Sequence, residues 1–506
     1  MASLVFTIIK RYGSITVNRI SLRSFCTESL SVSGTGIRRN RKNLFSRISP
    51  LGLPSISVVP TLEQWVEEGR TIHQNDLRFI LRELRNRRRY NQALEVSEWM
   101  SSRELSPFAP SDYAVQLDLI GKVRGLDSAE SYFNSLSDQV KVDKLYGALL
   151  NCYVREGMID KSLSHMKKMK ELGFASSPLS YNDIMCLYLR TGELEKVPDV
   201  MSEMEKDGVK PDIFSYRVCM NSYWLRSDLN SMEKVFEEMK KQPHISLDWT
   251  TYAMVANFYI KAGDRDKALF SLMKCEELVD KDALGYNHLI SLYASLGNKE
   301  QMMRLWGLQK AKCKNQINRD YRTMISLLVK LGEFEEAEVL LKTWESSQQF
   351  YDFRVPNILI LGYCNKGLIE KAEAMLHEII EKGRTPTPNS WAIIAAAYLD
   401  RQNMDTAFEC MKKALAVQAE NKLWRPKPQV ISKLLEWLAD KGDVEEVKAF
   451  VISLKTVIPV NRLMYHALIK AHLNVGKEVD WILKSMKTDN IEVNEETEEI
   501  LNSSQK

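Results

Sequence analysis

Apolar residues in this chain recur every three or four positions, in short runs separated by glycines or polar turns, which is the period of amphipathic helices. Residues 181–212 show the unit most plainly. Tyr181, Ile184, Met185, Tyr188 and Leu189 mark the apolar side of one helix, Gly192 breaks it, and Glu193 opens a second. Leu194, Val197, Val200, Met201 and Met204 give the second helix its apolar side. Gly208 stops it, and Pro211-Asp212 turn the chain into the next unit. Pro198 is expected near the first turn of that helix, where its missing N–H costs little.

The unit repeats. Tyrosine anchors stand at 113, 146, 181, 216, 252, 286 and 321, spaced 33 to 36 residues apart, and again at 465. Glycine follows eleven positions later at Gly157, Gly192, Gly263, Gly297, Gly332 and Gly476. Alanine follows sixteen positions later at Ala93, Ala129, Ala268, Ala337, Ala372 and Ala407, where a small side chain lets paired helices approach closely. Met100, Met169, Met204 and Met239 read as core filler rather than a cofactor stripe. Leu77, Pro356, Trp391 and Ile431 complete a set of twelve anchors. Units this short cannot bury their own apolar faces and must stack on one another. The predicted fold is all-α, a right-handed superhelical α-solenoid of helix-turn-helix repeats. It spans residues 61–490, with about 12 repeats and an N-terminal capping helix around Leu62, Trp65, Val66 and Ile72. Residues 491–506 read as an acidic disordered tail.

Charge changes the picture only at one end. The 506 residues carry a net charge of +4, yet residues 1–49 hold nine basic side chains against the single acid Glu28. This Ser-rich head lacks a long apolar core and reads as an organellar transit peptide over residues 1–25, followed by a flexible basic linker over 26–60. The stretch Arg23-Ser24-Phe25-Cys26 resembles a mitochondrial processing site cut after Phe25; this and the early arginines favour the mitochondrion, in the matrix, with a plastid as the alternative destination. No apolar run approaches the roughly 20 residues that span a bilayer. Eight cysteines and seven histidines are scattered without metal-ligand spacing. HExxH, the GxxxxGK[ST] phosphate loop and the HxE with PCxxC deaminase pattern do not occur. The sequence therefore predicts no catalytic residues, no metal and no cofactor, and a protein that is not an enzyme.

The pattern of Tyr181-Asn182 to Gly192, then Met204 to Gly208 and Pro211-Asp212, resembles a pentatricopeptide repeat, and Tyr286-Asn287 to Gly297 repeats its opening half. The tetratricopeptide pattern fits less well. The chain is similar to plant organellar pentatricopeptide proteins made only of standard-length repeats. The segment Leu84–Met100 looks like the opening repeat of a plant subgroup with mitochondrial members. This resemblance implies a scaffold that binds single-stranded organellar RNA and acts in its processing, stability or translation. In such proteins the base-reading pair lies just after the aromatic anchor and at the end of the same repeat. Asn182 with Asp212 is then the clearest pair, of the kind associated with uracil, and Asn287, Asp248 and Asp282 occupy other reading positions. The pairs Arg217/Asp248, Ala253/Asp282, Asn287/Ile317 and Arg322/Asp352 depart from the familiar combinations. Phosphate contacts are expected from Arg82, Arg85, Arg87, Arg88 and Arg89, and from Lys167 and Lys168. Two other readings stay open. One is a structural part of a mitochondrial ribonucleoprotein such as the ribosome, with rRNA and ribosomal or RNA-processing proteins as partners. The other is a protein-binding solenoid with no RNA contact.

Overall fold

The computed structural model describes residues 43–503, apart from 53–55, 104–106, 314, 348–350 and 418–423. The expected transit segment 1–25 and the first part of the linker lie outside the described residues. Among those described there are helices, turns and one 3-10 turn, and no strand. No helix among them is long and apolar enough to cross a membrane.

Where the periodicity drew one array, the chain divides into two compact units after Leu247. Helix Leu229–Lys241 ends just before Pro243, which cannot continue a helix, and the next helix begins only at Trp249. The first unit holds five helical hairpins, beginning with Gln74–Asn86 and Tyr90–Ser102, after a capping helix Val59–Glu67. Pro110–Val123, Asp143–Glu156, Pro178–Thr191 and Ile213–Leu225 pack side by side as one layer. Their partners Leu126–Ser135, Ile159–Glu171, Lys196–Lys206 and Leu229–Lys241 form the other. The second unit holds seven hairpins, the first being Trp249–Ala262 with Arg265–Leu278 and the last Arg462–Asn474 with Asp480–Thr488. One apolar core runs through it from Ala253 to Met486. Each unit is thus an all-α solenoid of stacked hairpins.

The seam between paired helices is where the repeat pattern meets packing. Ala93, Ala129, Ala268, Ala337, Ala372 and Ala407 all have 0% exposure, and Met100, Met169, Met204 and Met239 are buried beside that seam. The aromatic anchor ties the two helices together with its polar end. Tyr181 Oη donates to Asp207 at 2.6 Å and Tyr465 Oη donates to Asp489 at 2.5 Å. Burial pushes the Tyr181 phenol up to about 12, so it remains a donor at neutral pH.

Gly192 ends helix Pro178–Thr191 at φ +86°, a left-handed conformation that costs glycine little. Three repeats lack the glycine and still adopt this turn, with Arg88 at φ +58°, Ser227 at +62° and Gln402 at +62°. Pro198 lies in the first turn of helix Lys196–Lys206, which starts three residues later than the glycine break suggests.

Both ends differ from expectation. Residues 43–52 of the basic linker are not free. Helix Leu44–Ile48 buries Leu44 and Ile48, and the Arg89 guanidinium donates to the carbonyls of Ser49 at 2.9 Å, Ile48 at 3.1 Å and Leu51. The Gln92 side-chain amide Nε2 also donates to Leu51 O, at 2.7 Å. At the other end, residues 495–503 of the expected disordered tail form helix Glu495–Ser503, packed on Arg462–Asn474. Thr497 is fully buried there, with His466 Nε2 2.8 Å from its hydroxyl. Glu495, Glu496, Glu498 and Glu499 are exposed, while Thr497 is buried and Ile500 and Leu501 pack against the core, contacts that charge counting overlooks.

Candidate nucleic-acid interface

Asn182 sits one residue after Tyr181 in the first-helix layer of the first unit and is buried, at 3% exposure. Its Nδ2 donates to Asp212 Oδ1 at 3.2 Å, and its Oδ1 accepts from Ser215 Oγ at 2.7 Å. Asp212 is half-buried and caps helix Ile213–Leu225, accepting from Ser215 N at 2.8 Å. The two residues that the resemblance pairs are therefore in direct contact. A buried amide with both ends engaged has one orientation, and one Asn182 N–H and the second Asp212 oxygen stay outside this network.

Asn287 occupies the matching place in the second unit and meets different neighbours. Its Nδ2 donates to Asp320 Oδ1 at 2.6 Å, while its Oδ1 is buried without a partner. Asp320 is itself fully buried and also accepts from Ile317 N at 3.0 Å and from the Arg319 guanidinium at 3.2 Å. Ile317, which ends the repeat, is an exposed apolar residue.

Asp248 and Asp282 are helix caps. Asp248 accepts from Thr251 N at 2.9 Å and from the hydroxyls of Thr250 at 2.7 Å and Thr251 at 3.0 Å. Asp282 accepts from Leu284 N at 2.9 Å. Both remain half-exposed.

The N-terminal arginines separate into two groups. Arg82 and Arg88 are exposed, Arg82 stacking on Phe79 at 5.5 Å from the ring centre. Arg85, Arg87 and Arg89 are occupied by the protein. Arg85 pairs with Asp118 at 3.2 Å, Arg87 donates to Ser49 Oγ at 2.8 Å, and Arg89 holds the linker carbonyls. Burial pushes the Asp118 carboxyl up, but Lys122, Arg85 and Arg155 around it outweigh that and hold it below the ordinary carboxylate range. Arg85 and Arg89, both expected at phosphate, are each engaged by acceptors of the protein itself. Lys167 and Lys168 are exposed on helix Ile159–Glu171, a second helix, and so belong to the other layer from Asn182.

Sequence reading missed Ser215 and Asp320, which lie at the third position of the next first helix, one residue before its anchor. Their signal is the short polar residue directly preceding an anchor, at Ser215-Tyr216 and Asp320-Tyr321. Six thiols, Cys152, Cys186, Cys219, Cys275, Cys313 and Cys410, are buried and free. No group of three or more His, Cys, Asp or Glu side chains among the described residues is arranged to hold a metal.

The repeats themselves match known families. The description PPR repeat family matches residues 176–224, and PPR repeat matches 145–174, 214–243, 320–348 and 355–384. A tetratricopeptide repeat description matches 250–278. The mitochondrial pentatricopeptide repeat-containing protein At4g21705 of Arabidopsis thaliana is 47% identical over 92% of this chain and 95% of its own length. Large ribosomal subunit protein mL101 of the same plant is 39% identical over 90% of this chain and 94% of its own. The crystal structure of the maize pentatricopeptide repeat protein PPR10 superposes with a TM-score of 0.49 at 17% identity, covering 81% of this chain. This chain spans 62% of the length of that maize protein. With near full-length identity to such relatives, the chain belongs to the plant pentatricopeptide repeat family, in the class built from standard-length repeats.

Proposed function

We propose that this protein is a mitochondrial single-stranded RNA-binding scaffold acting in organellar RNA processing, stability or translation. The observation that carries the reading is the Asn182–Asp212–Ser215 network. It fixes an amide donor beside a half-exposed carboxylate acceptor on the first-helix layer. A uracil edge presents a carbonyl acceptor next to an N–H donor, and single-stranded bases are read on such edges. Phosphate contacts fall to exposed cations, namely Arg82 and Arg88 among the N-terminal arginines. The relatives named as mitochondrial support a mitochondrial location, and we assign the matrix as the compartment.

The similarity to a large ribosomal subunit protein favours a second reading, a structural role on rRNA within the mitochondrial ribosome. Organellar crosslinking with RNA sequencing, combined with native-complex fractionation, tests both. The first reading expects a narrow transcript footprint away from ribosomal particles. The second expects rRNA fragments that co-migrate with the large subunit. Recovery of no crosslinked RNA would sink both and leave a protein-binding solenoid.

A further inference from the structure

Gln316, Ile317, Asn318, Arg319, Arg322 and Arg354 line an open depression of about 470 Å³ in the second unit. This volume lies within the range of cavities that hold small ligands, roughly 300–1,000 Å³. Three guanidinium groups meet there. Arg319 donates to Asp320 Oδ1 through Nε and Nη2, both at 3.2 Å. Arg354 grips Asp352, with its Nη2 at 2.8 Å from Oδ2. Arg322 is exposed and, among the described residues, has neither a hydrogen bond nor an ion pair. Two carboxylates thus answer three arginines, and helix Asn318–Leu331 starts at the same place, so the positive end of its dipole lies there.

The acid that ends this repeat is not available to a base. Asp352 accepts from Asn318 Nδ2 at 2.9 Å, from Arg354 N at 3.0 Å and from the Arg354 side chain. Asn318 is fixed in turn, its Oδ1 accepting from Trp344 Nε1 at 2.9 Å. What faces the depression is mainly an array of guanidinium N–H donors, against which the Gln316 side-chain carbonyl, whose Nε2 is held by Cys313 O, is the uncommitted acceptor. A nucleobase edge, which offers both donors and acceptors, fits this poorly. A phosphate offers only acceptors and suits the planar fork of arginine.

We propose that this depression binds a phosphate group of single-stranded RNA, with Arg322 as the principal contact and Arg319 and Arg354 as flanking donors. The RNA source rests on the function proposed above, while the anion site itself does not. Its two sources are an internal phosphodiester and a terminal 5′-monophosphate. The exposed Ile317 at the rim gives an apolar surface for the attached ribose or base.

The test uses the full chain, with Arg322→Ala, Arg322→Lys and Lys206→Ala as variants. Arg322 and Lys206 are both exposed, so their replacement leaves the core untouched. Isothermal titration with inorganic pyrophosphate is expected to show binding that Arg322→Ala weakens about tenfold, a loss typical of a charge-assisted contact. Arg322→Lys recovers part of this, and Lys206→Ala changes nothing. Absence of pyrophosphate binding, or equal binding by Arg322→Ala, overturns the site whatever the RNA result. In RNA titrations, loss of one contact lowers the salt slope by about 0.7. If Arg322→Ala does so for 5′-hydroxyl and 5′-phosphorylated strands alike, the ligand is an internal phosphodiester. If only the phosphorylated strand is affected, it is the terminal group. Arg322-dependent pyrophosphate binding without any RNA binding keeps the anion site and removes the RNA function.

Discussion

Asn182 in the first unit and Asn287 in the second occupy the same place, one residue after a buried tyrosine, yet they live in different surroundings. Asn182 leans on a half-exposed aspartate that ends its repeat and a serine from the next helix. Asn287 has isoleucine at the end of its repeat, and a fully buried aspartate replaces the serine. The first arrangement leaves a carboxylate facing outward. The second turns it inward and orphans the amide oxygen. An asparagine after the anchor is therefore not enough to make a reading position; side chains 30 and 33 residues further on decide what it presents.

The sharpest way to test this contrast is to remove the two acids. Asp320→Ala strands the Asn287 amide, the Ile317 N–H and the Arg319 guanidinium, and should cost about 3 kcal/mol, combining a lost cap with buried unpaired donors. Asp212→Ala, at a half-exposed cap, should cost about 1 kcal/mol. Urea denaturation, with hydrogen exchange to tell the units apart, measures both. Equal costs would erase the distinction.

A pH profile comes next. Burial pushes the Asp183 carboxyl, beside Asn182, up to about 7, even though Asn151 donates to it. The unfolded chain ionises this group near pH 4, so between there and 7 the folded state binds the extra proton. Stability of the first unit should fall as pH rises through that window, by about 4 kcal/mol, and level off above it. Asp183→Asn should remove the slope. The corresponding neighbour of Asn287 is His288, so the second unit has no matching carboxyl to ionise there. A profile unchanged by the substitution would refute the assignment.

Ser215→Ala deletes the donor to Asn182 Oδ1 and should cost about 1.5 kcal/mol. If the proposed function holds, it should also blur base preference in RNA titrations more than it lowers overall affinity. The smallest effect is a gain. Ser227→Gly and Gln402→Gly relieve left-handed backbone, one in each unit, and should each stabilise by about 1 kcal/mol in thermal melts.

The helices, their pairing and the alanine seam were legible because each rests on a spacing that recurs many times. The pairing of Asn182 with Asp212 came through family resemblance, but the hydrogen bond between them did not. Other features were not, because they depend on single long-range pairings. Arg89 reads as one of a run of surface charges, and nothing local reveals that it clasps the carbonyls of residues 48–51. Asp320 reads as an ordinary first-turn acid until Asn287 is found against it. The helix Glu495–Ser503 is hidden behind its glutamates for the same reason.

The fully buried alanines also constrain how such a chain can change in length. One residue inserted between an anchor and its alanine rotates everything downstream by about 100°, and at Ala268 this would bring Lys267 into the seam. Extra residues in the turns between repeats leave that phase intact, as the 40-residue interval from Trp391 to Ile431 illustrates. Insertions and deletions should therefore be tolerated between hairpins and rejected within them.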